Sequence, residues 1–241
     1  MPKLGSVKSF IKKLPLIGSI TRAHVWKTIR YRYTLLTDER VNATFTGFYR
    51  LPSQYEALAG PVIDFLIKDK KELKIIVFGC SNGSEAYTVS SVLVKKHKEL
   101  NFRIYGYDLD PSMIEKAKSA QYSHDEIYNN KVIPDEFITS TFDRNGEHFV
   151  IKPEIKRHVQ FSLANALDPE LREKIGTADI LFAQNFLLHL KPSLAKKALN
   201  NLNSLLKKRA VFFVDGIDLN IRRKYVIESN LTPLDYKIEQ I

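Results

Sequence analysis

The chain has 241 residues, enough for one α/β domain with a small appendage, and its 44% hydrophobic and 27% charged content suits a soluble globule. A single cysteine, Cys80, excludes an intrachain disulfide and a cysteine-based metal site, and no apolar run reaches the length of a membrane-spanning helix. Residues 1–37 carry eight of the ten net positive charges, so the basic character belongs to one segment and argues against a general nucleic-acid-binding protein. The N-terminus lacks a continuous apolar core followed by a small-residue cleavage site. A reducing, cytoplasmic location is therefore expected.

In residues 1–40, Phe10, Ile11, Leu14, Leu16, Ile17 and Ile20 interleave with lysines, and Trp26, Tyr31 and Tyr33 follow among arginines. Pro15 and Gly18 interrupt any single helix. The segment is expected to be a basic helical cap. It suits packing on the main domain, peripheral contact of residues 1–33 with the anionic inner face of a membrane, or a partner's acidic surface. Residues 61–68 read as a helix. Leu73–Phe78 is a short apolar run, the mark of a buried strand. It stops at Gly79-Cys80-Ser81-Asn82-Gly83, after which residues 84–98 have helical periodicity. Residues 102–107 form a second strand ending in Asp108-Leu109-Asp110-Pro111, where Asp110 suits a helix cap and Pro111 a first turn. Residues 131–163 break the alternation of strand and helix. Phe137, Thr141-Phe142 and 148–151 read as short strands around the hairpin signal Asn145-Gly146. Residues 155–161 return to the main sheet. Residues 178–182 are its fourth strand, 192–206 an amphipathic helix, Lys207-Lys208-Arg209 a turn, and 210–215 the fifth strand. A helix over 217–229 and a strand or frayed tail from 232 to 241 complete the chain.

The unit from residue 73 to 110 predicts a ligand at the tip of a parallel sheet. Glycines at the first turn let the backbone approach a bound molecule closely. A carboxylate at the end of the second strand, Asp108, can accept two hydrogen bonds from a ribose diol. A dinucleotide fold would carry G-x-G-x-x-G and free amides for a pyrophosphate. Here Glu85 occupies the first helical turn, repels a pyrophosphate and suits an ammonium. S-adenosylmethionine is thus a better match than a nicotinamide cofactor. Cys80 reads as a small packing residue of the turn, since no histidine lies near it in sequence.

The run from Gly79 to Tyr87, followed by Tyr107-Asp108-Leu109-Asp110-Pro111, resembles the CheR family of chemotaxis-receptor methyltransferases, with its G-C-S-T-G-E-E-P-Y-S and strand-end D-I-D. Three further segments match in order. Thr44-Phe45-Thr46-Gly47-Phe48-Tyr49-Arg50-Leu51-Pro52 resembles T-N-x-T-x-F-F-R-x-P. Phe161 to Leu167 resembles F-x-x-x-N-L-L. Gln184-Asn185-Phe186-Leu187-Leu188-His189 resembles R-N-V-L-I-Y. The resemblance implies a Rossmann-like class I methyltransferase sheet, an α/β fold with S-adenosylmethionine as cofactor, S-adenosylhomocysteine as product and a small antiparallel β insertion at 137–156. It implies cofactor contacts from Thr44, Thr46, Arg50, Gly79, Cys80, Gly83, Glu85, Asp108, Met113, Asn165, Ala166, Gln184 and Asn185. Arg50 is then placed at the methyl-transfer site, where a guanidinium can orient an acidic acceptor.

Three departures bear on the acceptor. Thr44 replaces Asn, Asp215-Gly216-Ile217-Asp218 stands where the family has G-H-S-E, and His189 replaces a tyrosine. A carboxylate acceptor is already ionised and needs no base, whereas a hydroxyl or amine acceptor uses one, a role open to His189. The expected reaction is methylation of an oxygen such as a protein carboxylate (glutamate). The alternatives are a small metabolite or membrane-linked glycan, with His189 as base, and a sensor that binds the cofactor without transfer.

Overall fold

The computed structural model describes residues 46–68, 72–128, 133–216, 225–229 and 231–232. The basic segment 1–40, Thr44 and most of the expected C-terminal helix and tail lie outside the described residues. A helical arm comes first: α1 (Pro52–Ala57), a kinked turn at Leu58–Val62 around Gly60-Pro61, and α2 (Ile63–Ile67). It begins earlier than the expected 61–68, because Pro52 sits in the first turn, where its missing N–H costs nothing. The expected strand–turn–helix–strand unit follows as β1 (Leu73–Phe78), α3 (Ser84–Lys96) and β2 (Phe102–Asp108). Next comes α4 (Pro111–Ser119), capped by Asp110, whose carboxylate accepts from the Ser112 N–H at 2.9 Å.

The middle of the chain holds β3 (Gln121–Ser123), α5 (His124–Tyr128), α6 (Asp135–Thr141), β4 (Phe142–Asn145), β5 (His148–Ile151) and α7 (Pro153–Lys156). The Asn145-Gly146 hairpin joins β4 to β5, with Gly146 at φ +61°. Two expectations fail here. Phe137 to Thr141 is helix, not strand, because Pro134 opens the turn and Asp135 and Glu136 complement the helix dipole. Residues 155–158 are not yet sheet: Pro153 starts a helical turn, and the strand begins only at Val159.

The remainder runs β6 (Val159–Leu163), α8 (Leu171–Ile175), β7 (Ala178–Gln184), a tight turn at Leu187–His189, α9 (Pro192–Ser204) and β8 (Leu206–Asp215). Lys207-Lys208-Arg209 is the start of β8 rather than a turn. Its cations are drawn into the fold: Lys207 Nζ reaches Asp179 Oδ2 at 2.8 Å, and Arg209 donates to the Phe65 carbonyl at 2.8 Å while lying over the Phe65 ring. Among the described residues no helix is long and apolar enough to cross a membrane.

Five parallel strands stand in the order β6-β2-β1-β7-β8, and β3-β5-β4 make a small antiparallel sheet beside them. Along β1, Ile75 and Val77 enter a core on one face, while Ile76 and Phe78 enter a core on the other. This is the two-sided burial that a helix-covered parallel sheet requires. From β1 the chain first winds outward through β2 and β6, then returns to β1's other side as β7. That reversal opens a crevice at the carboxyl ends of β1 and β7, where such sheets bind ligands.

At the opposite edge the sheet is stapled by Asp179. It is fully buried, and its Oδ2 accepts from the Lys74 N–H at 2.9 Å and from Lys207 Nζ at 2.8 Å. Replacing Asp179 with Leu strands the Lys74 N–H, while the half-exposed Lys207 ammonium loses its counter-charge and turns to water. The expected cost is about 2–4 kcal/mol of stability, read as a lower midpoint in thermal melting, with ligand affinity at the far edge unchanged. A melting midpoint equal to that of the parent chain would remove the staple from the account.

Candidate active site at the carboxyl edge of the sheet

The turn between β1 and α3 is bent into shape by backbone geometry. Gly79 and Gly83 have φ of +71° and +86°, a region where side chains are strained. A Cβ on Gly79 would lie 2.8 Å from the Phe186 ring, so the loop after β7 rests directly on the start of this turn. The N–H groups of Gly79 and Cys80 both donate to the Tyr107 carbonyl, at 2.8 and 3.0 Å, which holds the turn against the end of β2.

Asp108 completes that junction. Its Oδ2 accepts from the Ser81 N–H at 2.8 Å and its Oδ1 from the Asp110 N–H at 3.0 Å. Two backbone donors fix the plane of a half-buried carboxylate that has further lone pairs to offer. Met113 lies beside it, its sulfur 3.6 Å from Ser81 Oγ. Cys80 is buried, and burial, with the charges of Asp108 and Glu85, pushes its thiol well up. It packs the turn and is a poor nucleophile.

Glu85 lies in the first turn of α3 and is only 7% exposed. Its Oε1 is buried without a hydrogen-bond partner. Burial pushes the carboxyl up from 4.5 to about 7, and the Arg50 guanidinium opposes that rise. Arg50 arrives on a strap, residues 46–55, that includes the half-buried Thr46 and is anchored by Phe48, whose fully buried ring packs against Tyr122, Phe137 and Phe142. The Tyr49 N–H donates to Thr88 Oγ1 on α3 at 3.2 Å, and Gln54 Oε1 accepts from Gln184 Nε2 at the end of β7. Tyr55, also buried, has its hydroxyl pushed up by desolvation and by Glu85.

The loop after β7 opens with Asn185 at φ +58°, its N–H on the Asp215 carbonyl at 3.1 Å. His189 ends the tight turn that follows. After β6, Ala166 is buried, whereas Asn165 is exposed and its Oδ1 accepts from the Leu167 N–H at 3.0 Å. That bond gives Asn165 a turn-forming role. The structure thus places Gly79, Cys80, Gly83, Glu85, Asp108, Met113, Gln184 and Asn185 in or beside the turns at the carboxyl ends of β1, β2 and β7, with Arg50 in the field of Glu85. Three contributors escaped the sequence: Ser81, whose amide clamps Asp108; Thr88, which moors the strap; and Gln54, whose partner lies 130 residues away. Only the small-residue turn itself signalled the first, and nothing local signalled the other two.

These groups fit S-adenosylmethionine. An unpartnered buried carboxylate at Glu85 answers an ammonium group, and the oriented Asp108 carboxylate answers a ribose diol. Comparison with known proteins points the same way. Residues 44–222 match the family profile described as CheR methyltransferase, SAM binding domain. The chain is 25% identical over 212 residues to a chemotaxis protein methyltransferase of Borreliella burgdorferi, covering 83% of this chain and 72% of that one. It is 26% identical over 179 residues to a probable biofilm formation methyltransferase, WspC, of Pseudomonas putida, covering 73% of this chain. It spans 42% of that relative's length, and 18% of a 104.1 kDa Rhodobacter capsulatus protein to which it is 25% identical. Among solved structures, magnesium protoporphyrin IX methyltransferase from Synechocystis with bound SAM aligns at 15% identity and a TM-score of 0.44, over 87% of this chain and 88% of that one.

Glu85 should carry its burden openly in the ligand-free protein. Below pH 4.5 it is protonated folded or unfolded, so burial costs nothing through this group. As pH rises to about 7 the folded chain retains a proton that the unfolded chain has lost, and stability falls; above that the loss is complete. The interval is worth about 3 kcal/mol at most. Glu85→Gln should therefore raise the melting midpoint at pH 8 and leave it unchanged near pH 4. An equal effect at both pH values would show that the carboxyl titrates normally.

Proposed function

The chain belongs to the CheR methyltransferase family, and on that premise we propose that it methylates an oxygen nucleophile with S-adenosylmethionine as donor. The cofactor supplies a methyl group on a positively charged sulfur. The observation that carries the reading is Glu85, a buried carboxylate whose Oε1 has no partner of its own. It would hold the ammonium of the donor, Asp108 would hold the ribose hydroxyls, and the β1–α3 turn would cradle the chain between them. Asn165, Ala166 and Met113 are proposed on the adenine side. Arg50, tied to the strap, would orient the acceptor. Alignment and exclusion of water, rather than covalent chemistry by the protein, would provide the rate.

The name chemotaxis protein methyltransferase carried by relatives supports a protein acceptor, and the family resemblance makes a glutamate carboxylate the first choice. A second reading, a hydroxyl of a small metabolite or glycan, is favoured by His189, which stands at the family pattern's tyrosine position and would supply a base to an un-ionised acceptor. The basic segment 1–33 is proposed as a peripheral contact with an anionic membrane, consistent with work at the inner face of the cytoplasmic membrane.

Calorimetric titration with S-adenosylmethionine and with S-adenosylhomocysteine tests the base of the proposal, with micromolar binding of both as the expected result. Asp108→Ala should weaken each by about 1–3 kcal/mol, the scale of hydrogen bonds to a charged group. Unchanged affinity would take Asp108 out of the site, and absence of binding to the parent chain would end the methyltransferase reading.

A further inference from the structure

Tyr55, on α1, is 1% exposed, and its ring packs against that of Tyr49 with 5.4 Å between centroids. Contacts on two sides fix where it stands. The Tyr49 N–H is held by Thr88 Oγ1, and the Thr88 hydroxyl donates to the carbonyl of Ser84, one residue before Glu85. Gln54, its neighbour in sequence, meets Gln184 at the end of β7. Tyr55 is thereby set between the first turn of α3 and the carboxyl edge of the sheet, with its hydroxyl in the field of Glu85 and of Arg50.

The core gives that hydroxyl nothing to do. Tyr87 and Tyr122, equally buried, donate to the Ala117 carbonyl at 3.0 Å and to the Asn82 carbonyl at 2.7 Å. Among the described residues no hydrogen bond uses the Tyr55 hydroxyl. A phenylalanine would fill the same space without an O–H to strip of water, and buried tyrosines normally find a partner. The described side-chain atoms sealed from solvent without a partner are Glu85 Oε1 and Gln184 Oε1. The Tyr55 oxygen is not one of them, so the trace of exposure left to this residue includes its oxygen, which faces open space. Burial, and after it the charge of Glu85, pushes the phenol well up, so it keeps its proton and offers a donor.

We propose that the Tyr55 hydroxyl binds the carboxylate at the amino-acid end of the methyl donor, beside the ammonium proposed for Glu85. The inference rests on the methyltransferase reading and adds a residue to it. An α-amino acid carries its ammonium and its carboxylate on one carbon, so a ligand seated against Glu85 brings an anion to the groups that surround Glu85. A protonated phenol serves such an anion as a donor, and a hydrogen bond to a charged acceptor offsets the desolvation that the O–H has already undergone. Glu85 and Tyr55 together then read both charges of the zwitterion. Holding both of its ends fixes the direction in which the donor presents its sulfur, which makes Tyr55 a positioning residue for the transfer.

A series of ligands tests this without any acceptor. The full chain and its Tyr55→Phe variant, which loses an oxygen and keeps the ring, are titrated with S-adenosylhomocysteine, with its decarboxylated analogue, which retains the ammonium, and with methylthioadenosine, which has neither group. Tyr55→Phe should weaken S-adenosylhomocysteine by about tenfold or more and leave the two carboxylate-free ligands within about twofold. The melting midpoint of the unliganded variant should equal or exceed that of the parent chain, because a desolvated O–H has been removed. Unchanged affinity for S-adenosylhomocysteine overturns the inference and leaves the methyltransferase reading standing. An equal loss for the decarboxylated analogue overturns it too, since the hydroxyl would then serve the ammonium. A loss shared by all three ligands with a lowered midpoint does the same, since the oxygen would then be structural. Failure of the parent chain to bind S-adenosylhomocysteine removes the methyltransferase reading itself, and the inference with it.

Discussion

The carboxylate of Glu85 is taken out of water and given only the partial compensation of Arg50's charge. Everything around the crevice is arranged to make that tolerable. The β1–α3 turn must put the first turn of α3 at the sheet's carboxyl edge, the strap must bring a guanidinium down from another part of the chain, and Tyr55 must close the space beside it. A carboxylate left in solvent would hold a cationic ligand weakly, because water screens it. Buried in advance, it trades some stability for a carboxylate that, in the proposed role, would meet the cofactor's ammonium without having to shed water first.

The strap is where the remaining polar chemistry is concentrated. It is held by the buried rings of Phe48 and Tyr55, by a backbone bond to Thr88 and by a side-chain bond between amides. Thr88 itself donates to the Ser84 carbonyl at 2.7 Å, so the strap is moored to the same first turn of α3 that carries Glu85. Strands fix Asp108 and Gln184 at their ends, while Arg50 rides on the strap. Stability is secured elsewhere, at the Asp179 staple on the other edge, and the two demands are kept at opposite ends of the strands.

Much of this was readable before the structure. Leu73–Phe78 announced itself as a strand buried on both faces because six apolar or stem-burying residues run without a break, and the glycines that follow have few other uses. Asp110 and Pro111 marked a helix start through local hydrogen bonding and a fixed φ, which need no tertiary context. Residues 137–141 misled because Phe, Ile and Thr favour strands; Pro134 and the two acids after it decided the matter for helix. Lys207-Lys208-Arg209 looked like a solvated turn, yet Asp179 and Phe65, far away in sequence, draw those cations into a strand. Gln54 was silent for the same reason. Its meaning is a contact across the fold, and no spacing within its own segment encodes that.

The raised carboxyl of Glu85 also leaves a mark on any calorimetric record. Near neutrality the burial-raised carboxyl keeps part of its proton, and an ammonium seated against it, as proposed, would favour the ionised form and expel that proton. That proton goes to the buffer. The heat observed on binding therefore includes the buffer's enthalpy of ionisation, and titrations in phosphate and in Tris would report different heats for one and the same association.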